Sequence, residues 1–508
     1  MNPNAIKNVV IVGGGTAGWM MAAALSTQFK ESGLNIILLE SETIGTVGVG
    51  ESTIPHIRDF NKFLGIDENF FIEQTKATFK LGIVFKNWGN LGDDYVHPFG
   101  PLGHDISGIE FHHFWLRMQR EGKASSLDDY SLASKAARMG RFTPPEVDGG
   151  FLESSYNYAF HFDAALYARY LRKFSEATGV VRVEGILDHV TQDESSGFIK
   201  SVILQSGQEI NGELFIDCTG FKGVLIDKVL QTPFEDWSRW LLCDKAIAIP
   251  CEKPDATVTP YTQATAHKAG WQWRIPLQHR TGNGHVYASQ FMSDDEAASI
   301  LLNNLDGAAL AEPKSFTFTA GQRKQNWEKN CVAIGLASGF LEPLESTSIY
   351  LIQVGIQKLI EFFPNINFAA ENTAEFNRQV NAEYLRIRDF IIMHYRENNR
   401  TDSEFWQHCR NMSIPDSLAE RQELFSTCGH IDHKQYGVYA SVCIGQGMVP
   451  KSYDFKVDKF SSADIEKYLS TIRNEILSAA NKMPFAQDYI VSLLAKNSAS
   501  IGKNSHEL

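Results

Sequence analysis

Two kinds of hydrophobic pattern divide the chain. The first is short, β-branched and apolar on both faces, the pattern of buried parallel strands. Asn8-Val9-Val10-Ile11-Val12 has it, and runs into Gly13-Gly14-Gly15-Thr16-Ala17-Gly18 and a helix from about Trp19 to Phe29. Asn35–Leu39 predicts a second such strand, ending at Glu40. Leu214-Phe215-Ile216-Asp217-Cys218-Thr219-Gly220 repeats the theme as a buried strand ending in glycine. The second pattern is periodic. Over Thr78–Phe85, Phe79, Leu81, Ile83 and Phe85 share one strand face, so Lys80 points the other way. Phe376, Val380, Tyr384, Ile387, Phe390 and Ile391 keep i, i+3/i+4 spacing within a helix expected over Ala374–Arg396.

The strand, glycine turn, helix and strand-ending acid form one unit of physical logic. In Gly13-x-Gly15-x-x-Gly18 the first glycine permits the turn, and the second lets backbone approach a pyrophosphate. The third lets helix and strand pack, and the helix N-terminus offers N–H donors. Glu40 can accept hydrogen bonds from a ribose diol. This motif fits NAD or FAD alike. The Leu214–Gly220 segment resembles the second flavin-contacting strand of FAD-dependent hydroxylases, which favours FAD. The expected fold is α/β: an FAD-binding domain of the glutathione-reductase and aromatic-hydroxylase kind, with a parallel sheet, under a largely helical substrate-capping domain. The FAD domain is expected to be discontinuous, over residues 1–85, 155–235 and 315–365. Residues 86–154, 236–314 and 366–508 form the capping part.

Composition narrows the classes. With 508 residues the chain is long for one core. Its longest apolar runs are strand-sized, short of a membrane span, and its polar N-terminus does not read as a signal peptide. A net charge of −13 argues against nucleic acid. Seven cysteines without a C-x-x-C pair read as reduced thiols of a cytoplasmic protein, with no metal site.

Four further segments sharpen the picture. They are Val12–Trp19, the cofactor loop with its following tryptophan; Gly48-Val49-Gly50-Glu51-Ser52-Thr53-Ile54-Pro55; Gly270-Trp271-Gln272-Trp273-Arg274-Ile275-Pro276; and Phe340-Leu341-Glu342-Pro343-Leu344-Glu345-Ser346-Thr347. In this order they resemble the flavin-dependent tryptophan/indole halogenases, over most of the chain. The resemblance implies FAD held by Gly13, Gly15, Thr16, Ala17, Gly18, Glu40, Asp217, Gly220 and Gly335. A strap including Gly48, Val49, Gly50 and Glu51 would lie across the flavin. It also implies that Trp271 and Trp273 keep substrate from the flavin, although two indoles on one strand face read equally as core packing.

The catalytic pair that the resemblance implies is Lys80 and Glu345. By alternation alone Lys80 is a solvated strand lysine, and Glu345 a carboxylate favoured at a helix N-terminus near Thr347. By resemblance, Lys80 receives hypohalous acid, as a haloamine or a hydrogen-bonded complex, and Glu345 orients the halogen donor or takes the ring proton. A haloamine needs a neutral amine, whereas lysine ordinarily titrates at about 10.4; desolvation favours the neutral form. Ser346, Thr347 and Ser348 lie where free backbone N–H groups suit a halide. Ser348 replaces the glycine usual in this family, which leaves bromide against chloride open.

His97 and Phe99 resemble the pair that contacts and sandwiches an indole. The region Arg421–Pro450 is shorter than in tryptophan halogenases, without their aromatic and acidic clamp for the amino acid, so the expected substrate is indole or an indole derivative. The alternative chemistry is direct flavin-dependent hydroxylation of an aromatic ring. Hydroxylases of this fold commonly carry Gly-Asp where this chain has Gly335-Leu336, which ranks that second. With no second nucleotide motif for NADPH, FADH₂ is expected from a separate NAD(P)H flavin reductase by diffusion. The protein is expected to be a monomer or homodimer, with no membrane partner.

Overall fold

The structure, a computed structural model, describes residues 4–43, 50–146, 150–253, 258–431 and 439–504. The chain divides into two compact units. The first comprises Met1–Lys76, Phe162–Asp244 and Thr317–Arg388, and the second Ala77–His161, Lys245–Phe316 and Asp389–Leu508.

The first unit is built on a six-stranded sheet. Its order is Trp327–Glu328, Cys331–Ala333, Leu214–Asp217, Asn8–Val12, Asn35–Glu40 and Val181–Glu184. All its pairings are parallel except the edge pair Trp327–Glu328 with Cys331–Ala333. The continuous apolar runs predict this, since strands covered on both faces need no polar alternation. The first helix spans Thr16–Gln28 and is buried from Gly18 to Ser26. It starts ahead of the expected Trp19 because Thr16, Ala17 and Gly18 form its first turn. The helix Ser348–Glu361 packs on the same unit.

The second unit holds a seven-stranded sheet besides its helices. Its order is Lys314–Thr317, Lys245–Cys251, Thr281–Tyr287, Gly270–Pro276, Thr262–His267, Gly82–Lys86 and Asp94–Pro98. The alternating stretch 78–85 is not one strand. Thr78–Lys80 pairs antiparallel with Ala159–His161, whereas Gly82–Lys86 joins the large sheet. Between them Leu81 donates its N–H to Pro260 O at 2.8 Å, and its carbonyl accepts the Phe99 N–H at 2.7 Å.

The periodic helix spans Ala370–Arg396, with all six of its expected core residues buried. The seven cysteines are free thiols, and all but Cys428 are buried. Among the described residues, no helix is long and apolar enough to cross a membrane.

Candidate functional site

Gly13 ends the first strand at φ +113°. A Cβ there would stand 2.2 Å from the Cys218 carbonyl oxygen, so only glycine lets that turn close in. A Cβ at Gly18 would stand 1.9 Å from Gly13 O, which is how the helix starts against its strand. Gly15 differs: nothing lies within 4 Å of its would-be Cβ. Open space therefore adjoins the N-terminus of Thr16–Gln28, where no side chain caps the free amides. An uncapped helix start, open at its glycine, fits a pyrophosphate.

Glu40 stands at the end of the neighbouring strand. It accepts the Trp19 indole N–H at 3.2 Å and Arg182 Nε–H at 2.5 Å, with Arg172 at 3.5 Å. These three partners hold a half-buried carboxylate where a ribose diol would meet it, so the residues present fit FAD. The two arginines carry no sequence signal, since their strand and helix come from a distant segment.

Asp217 is bonded to the turn that follows it. Its Oδ1 accepts the Thr219 N–H and hydroxyl at 3.0 and 2.6 Å, and Oδ2 accepts Leu225 and Ile226 N–H at 2.7 and 2.8 Å. Burial pushes its carboxyl up from the usual range, against the pull of those bonds. Asp217 thus fixes the turn through Gly220, whose φ is +70°. Gly335 sits against the first helix, 2.9 Å from Ala17 Cβ at its would-be Cβ. Of the strap, Gly48 and Val49 lie outside the described residues. Gly50 is buried and Glu51 half-buried. Enough protein surrounds the Glu51 carboxyl that burial pushes it up to about 7.

Pro343–Glu345 forms one tight turn, and Glu345 is buried. Ser346 then adopts the left-handed region, φ 59° and ψ 35°, which a non-glycine residue seldom does. Its hydroxyl donates to Ser52 Oγ at 3.0 Å, within the same unit. The next helix begins at Ser348 with Thr347 as its cap. The Thr347 hydroxyl is buried without a hydrogen-bond partner among the described residues, and the first turn holds no acid. Thr347 and Ser348 therefore offer polar hydrogens that would suit an anion, whereas the Ser346 N–H and hydroxyl, expected to share that role, are donated to Pro343 O and Ser52 Oγ.

In the second unit, Lys80 has no exposed surface at all. Alternation alone predicts a solvated lysine, whereas its strand is paired with Ala159–His161, remote in sequence, and its side chain is buried. Its Nζ lies 5.0 Å from the centre of the Phe99 ring. His97 is half-buried, with its ring edge-on to Phe390 at 5.7 Å. Trp271 and Trp273 share a face of Gly270–Pro276, with ring centres 6.1 Å apart, and Trp88 packs on Trp271 at 6.4 Å. Both indoles are buried.

Sequence reading passed over the polar residues beneath Lys80. Thr78 Oγ1 lies 2.6 Å from Pro276 O and 2.9 Å from His161 Nδ1, and His161 Nε2 lies 2.9 Å from Thr262 Oγ1. The signal was a histidine inside the apolar run Ala159-Phe160-His161-Phe162. A second histidine cluster, Glu110, His113 and His430, brings three ligand-type atoms within 4.8 Å. However, His113 Nδ1 accepts the Asp454 N–H at 3.2 Å, which leaves the ring proton on Nε2, the atom 3.8 Å from Glu110 Oε2. A protonated nitrogen offers no lone pair to a metal.

A family model described as tryptophan halogenase matches residues 8–462. The tryptophan 6-halogenase SttH of Streptomyces toxytricini is 33% identical, over 97% of this chain and 99% of its own. Two solved structures each superpose with a TM-score of 0.93. Xcc4156, a flavin-dependent halogenase from Xanthomonas campestris, is 46% identical, covering 96% of this chain and 98% of its own. BrvH, a flavin-dependent halogenase from Brevundimonas sp. BAL3, is 43% identical, covering 96% and 99%.

Proposed function

The chain belongs to the tryptophan halogenase family, and from that premise we propose that it halogenates indole or an indole derivative, using Lys80 to deliver the halogen. The observation that carries the reading is a lysine without exposed surface, set against the ring of Phe99. The chemistry that a bound reduced FAD supplies, with O₂, is the two-electron oxidation of bromide or chloride to hypohalous acid.

The chain's own residues do the rest. Gly13, Gly15 and Gly18 with the first helix hold the pyrophosphate, and Glu40 the ribose. Thr347 and Ser348 bind halide through N–H and O–H groups, on the turn that Ser346 closes. Lys80 holds hypohalous acid by hydrogen bond or as a haloamine formed with loss of water. The ring carbon then forms its bond to halogen as the halogen–oxygen or halogen–nitrogen bond breaks. Glu345 takes the displaced ring proton. Phe99 stacks on the substrate ring and His97 borders it, while Trp271 and Trp273 wall it off. FADH₂ arrives by diffusion from a separate flavin reductase.

Free tryptophan is the less suited substrate, because Arg421–Pro450 lacks an aromatic and acidic clamp for the amino acid; part of that stretch, 432–438, lies outside the described residues. The test supplies FAD, a flavin reductase, NADH, O₂ and bromide or chloride with indole or tryptophan, and follows product by mass. Halogenated indole is expected, and Lys80→Ala abolishes it while FAD stays bound. Turnover of Lys80→Ala at the parent rate, or strong preference for free tryptophan, overturns the corresponding part.

A further inference from the structure

We propose that Thr78, His161 and Thr262 form a one-way hydrogen-bond chain ending on the carbonyl of Pro276, and that this chain positions Lys80 for halogen transfer. The inference rests on the reading of Lys80 given above.

The direction of the chain follows from its last member. A prolyl carbonyl can only accept, so the Thr78 hydroxyl donates to it, at 2.6 Å. The Thr78 oxygen is then the acceptor for His161 Nδ1, 2.9 Å away, so that nitrogen carries the proton. In the neutral ring Nε2 is bare, and it accepts the Thr262 hydroxyl at 2.9 Å. Every proton in the series is thereby assigned. Burial, with the Lys80 charge second, holds His161 well below the ordinary histidine range, which keeps the ring neutral.

The chain joins four strands around one amine. Thr78 and Lys80 share a face of their short strand, since side chains alternate. Thr78 faces His161 and Lys80 faces Ala159 in the antiparallel register. Thr262 opens the strand Thr262–His267, and Pro276 ends the strand that carries Trp271 and Trp273. The strand Thr78–Lys80 has only three residues, and its ladder stops where Leu81 turns to other partners. So short a ladder fixes its direction weakly, and the buried side-chain series supplies the missing restraint. The proline closing the Trp-x-Trp-x-Ile-Pro segment thus has its own part: its carbonyl holds the threonine two residues before the lysine. These three are positioning residues, since none touches the reacting atoms.

The experiment measures halogenated indole formed per hypohalous acid released, the latter captured by a soluble 1,3-diketone. Thr78→Val keeps the shape and removes the hydroxyl, and is expected to lower that ratio by about 10- to 100-fold, the order of effect of a displacement of about 1 Å. Indole KM and FAD affinity are expected to stay within about twofold, the cost falling on transfer. Thr78→Ser restores the hydroxyl and is expected to recover the ratio. If Thr78→Val does not fold, Thr262→Val breaks the far end and is expected to show the smaller loss of the same kind. Long-range ¹H–¹⁵N spectra, with His161→Gln for assignment, are expected to show the Nδ1–H tautomer. Parental ratios in Thr78→Val or Thr262→Val, equal impairment in Thr78→Ser, or an Nε2–H ring would each overturn the inference. Lys80→Ala separates the two readings: if it halogenates normally, the Lys80 assignment itself fails. If it is inactive while Thr78→Val stays coupled, only the positioning chain fails.

Discussion

Gly284→Ala adds one methyl group against Trp273. The two residues are cross-strand partners in the antiparallel pair Gly270–Pro276 and Thr281–Tyr287. An ideal Cβ at position 284 would lie 2.0, 2.1 and 2.6 Å from Cζ2, Cη2 and Cε2 of Trp273. Carbon atoms in contact rest about 3.5–4.0 Å apart, so the indole must retreat by about 1.5 Å. Trp271, 6.1 Å away and buried, limits that retreat. Overpacking of this kind costs about 1–3 kcal/mol. For a cooperative unit of roughly 150–250 residues, each kcal/mol moves Tm by about 2–4 °C, so a fall of about 2–12 °C is expected by differential scanning fluorimetry. The decisive arm is the double variant Gly284→Ala with Trp273→Phe. The smaller ring relieves the clash, so its loss should be at least ~1 kcal/mol less than the sum of the two single losses. Strict additivity, or a single variant as stable as the parent, would refute the steric argument.

Two further predictions concern the first helix and a buried histidine. Trp19→Phe removes one of the donors on Glu40 while Arg182 remains, at a cost of ~1 kcal/mol. FAD affinity should fall about fivefold in a fluorescence titration; an unchanged Kd rejects the role given to the indole N–H. His285 is held down to about 4, by burial above all, against the bond its Nδ1–H makes to Ala297 O at 3.1 Å. The unfolded ring takes up a proton near pH 6.5 that the folded ring refuses, so stability falls as pH drops from about 6.5 towards 4, by up to ~1.4 kcal/mol per pH unit. Above about pH 7 this contribution is flat. His285→Gln should make the acid limb of Tm against pH shallower, and an identical slope rejects it. The limb does not vanish, because burial and the neighbouring His112 and His430 also push His113 down, to about 3.

The parts legible in the sequence are those governed by local rules. The glycine loop, its strand and helix, and Glu40 are near neighbours in sequence, so spacing alone fixes their geometry. The position of Lys80 was legible too, but alternation alone did not give its burial, because its neighbours, the strand Ala159–His161 and Phe99, come from other segments. The stretch Thr281-Gly282-Asn283-Gly284-His285 has two glycines and an asparagine, a poor strand by propensity. It pairs nonetheless, since both neighbouring strands supply ladder partners along its length and Trp273 covers the gap at Gly284. Asp217 reads as a flavin contact because Leu214–Gly220 resembles the second flavin-contacting strand of FAD-dependent hydroxylases. Its four internal donors, two of them amides from Leu225 and Ile226, become visible only in the fold.

Leu81 divides two ladders, and its N–H and carbonyl go to Pro260 and Phe99 instead of to either. The aromatic shelf is therefore tied by main chain to the residue next to the amine. Lengthening or reshaping the loop beyond Gly100 would leave the offset between Phe99 and Lys80 unaltered. On the function proposed for Lys80, the surrounding loop is free to vary while the distance from the Phe99 ring to the amine stays constant.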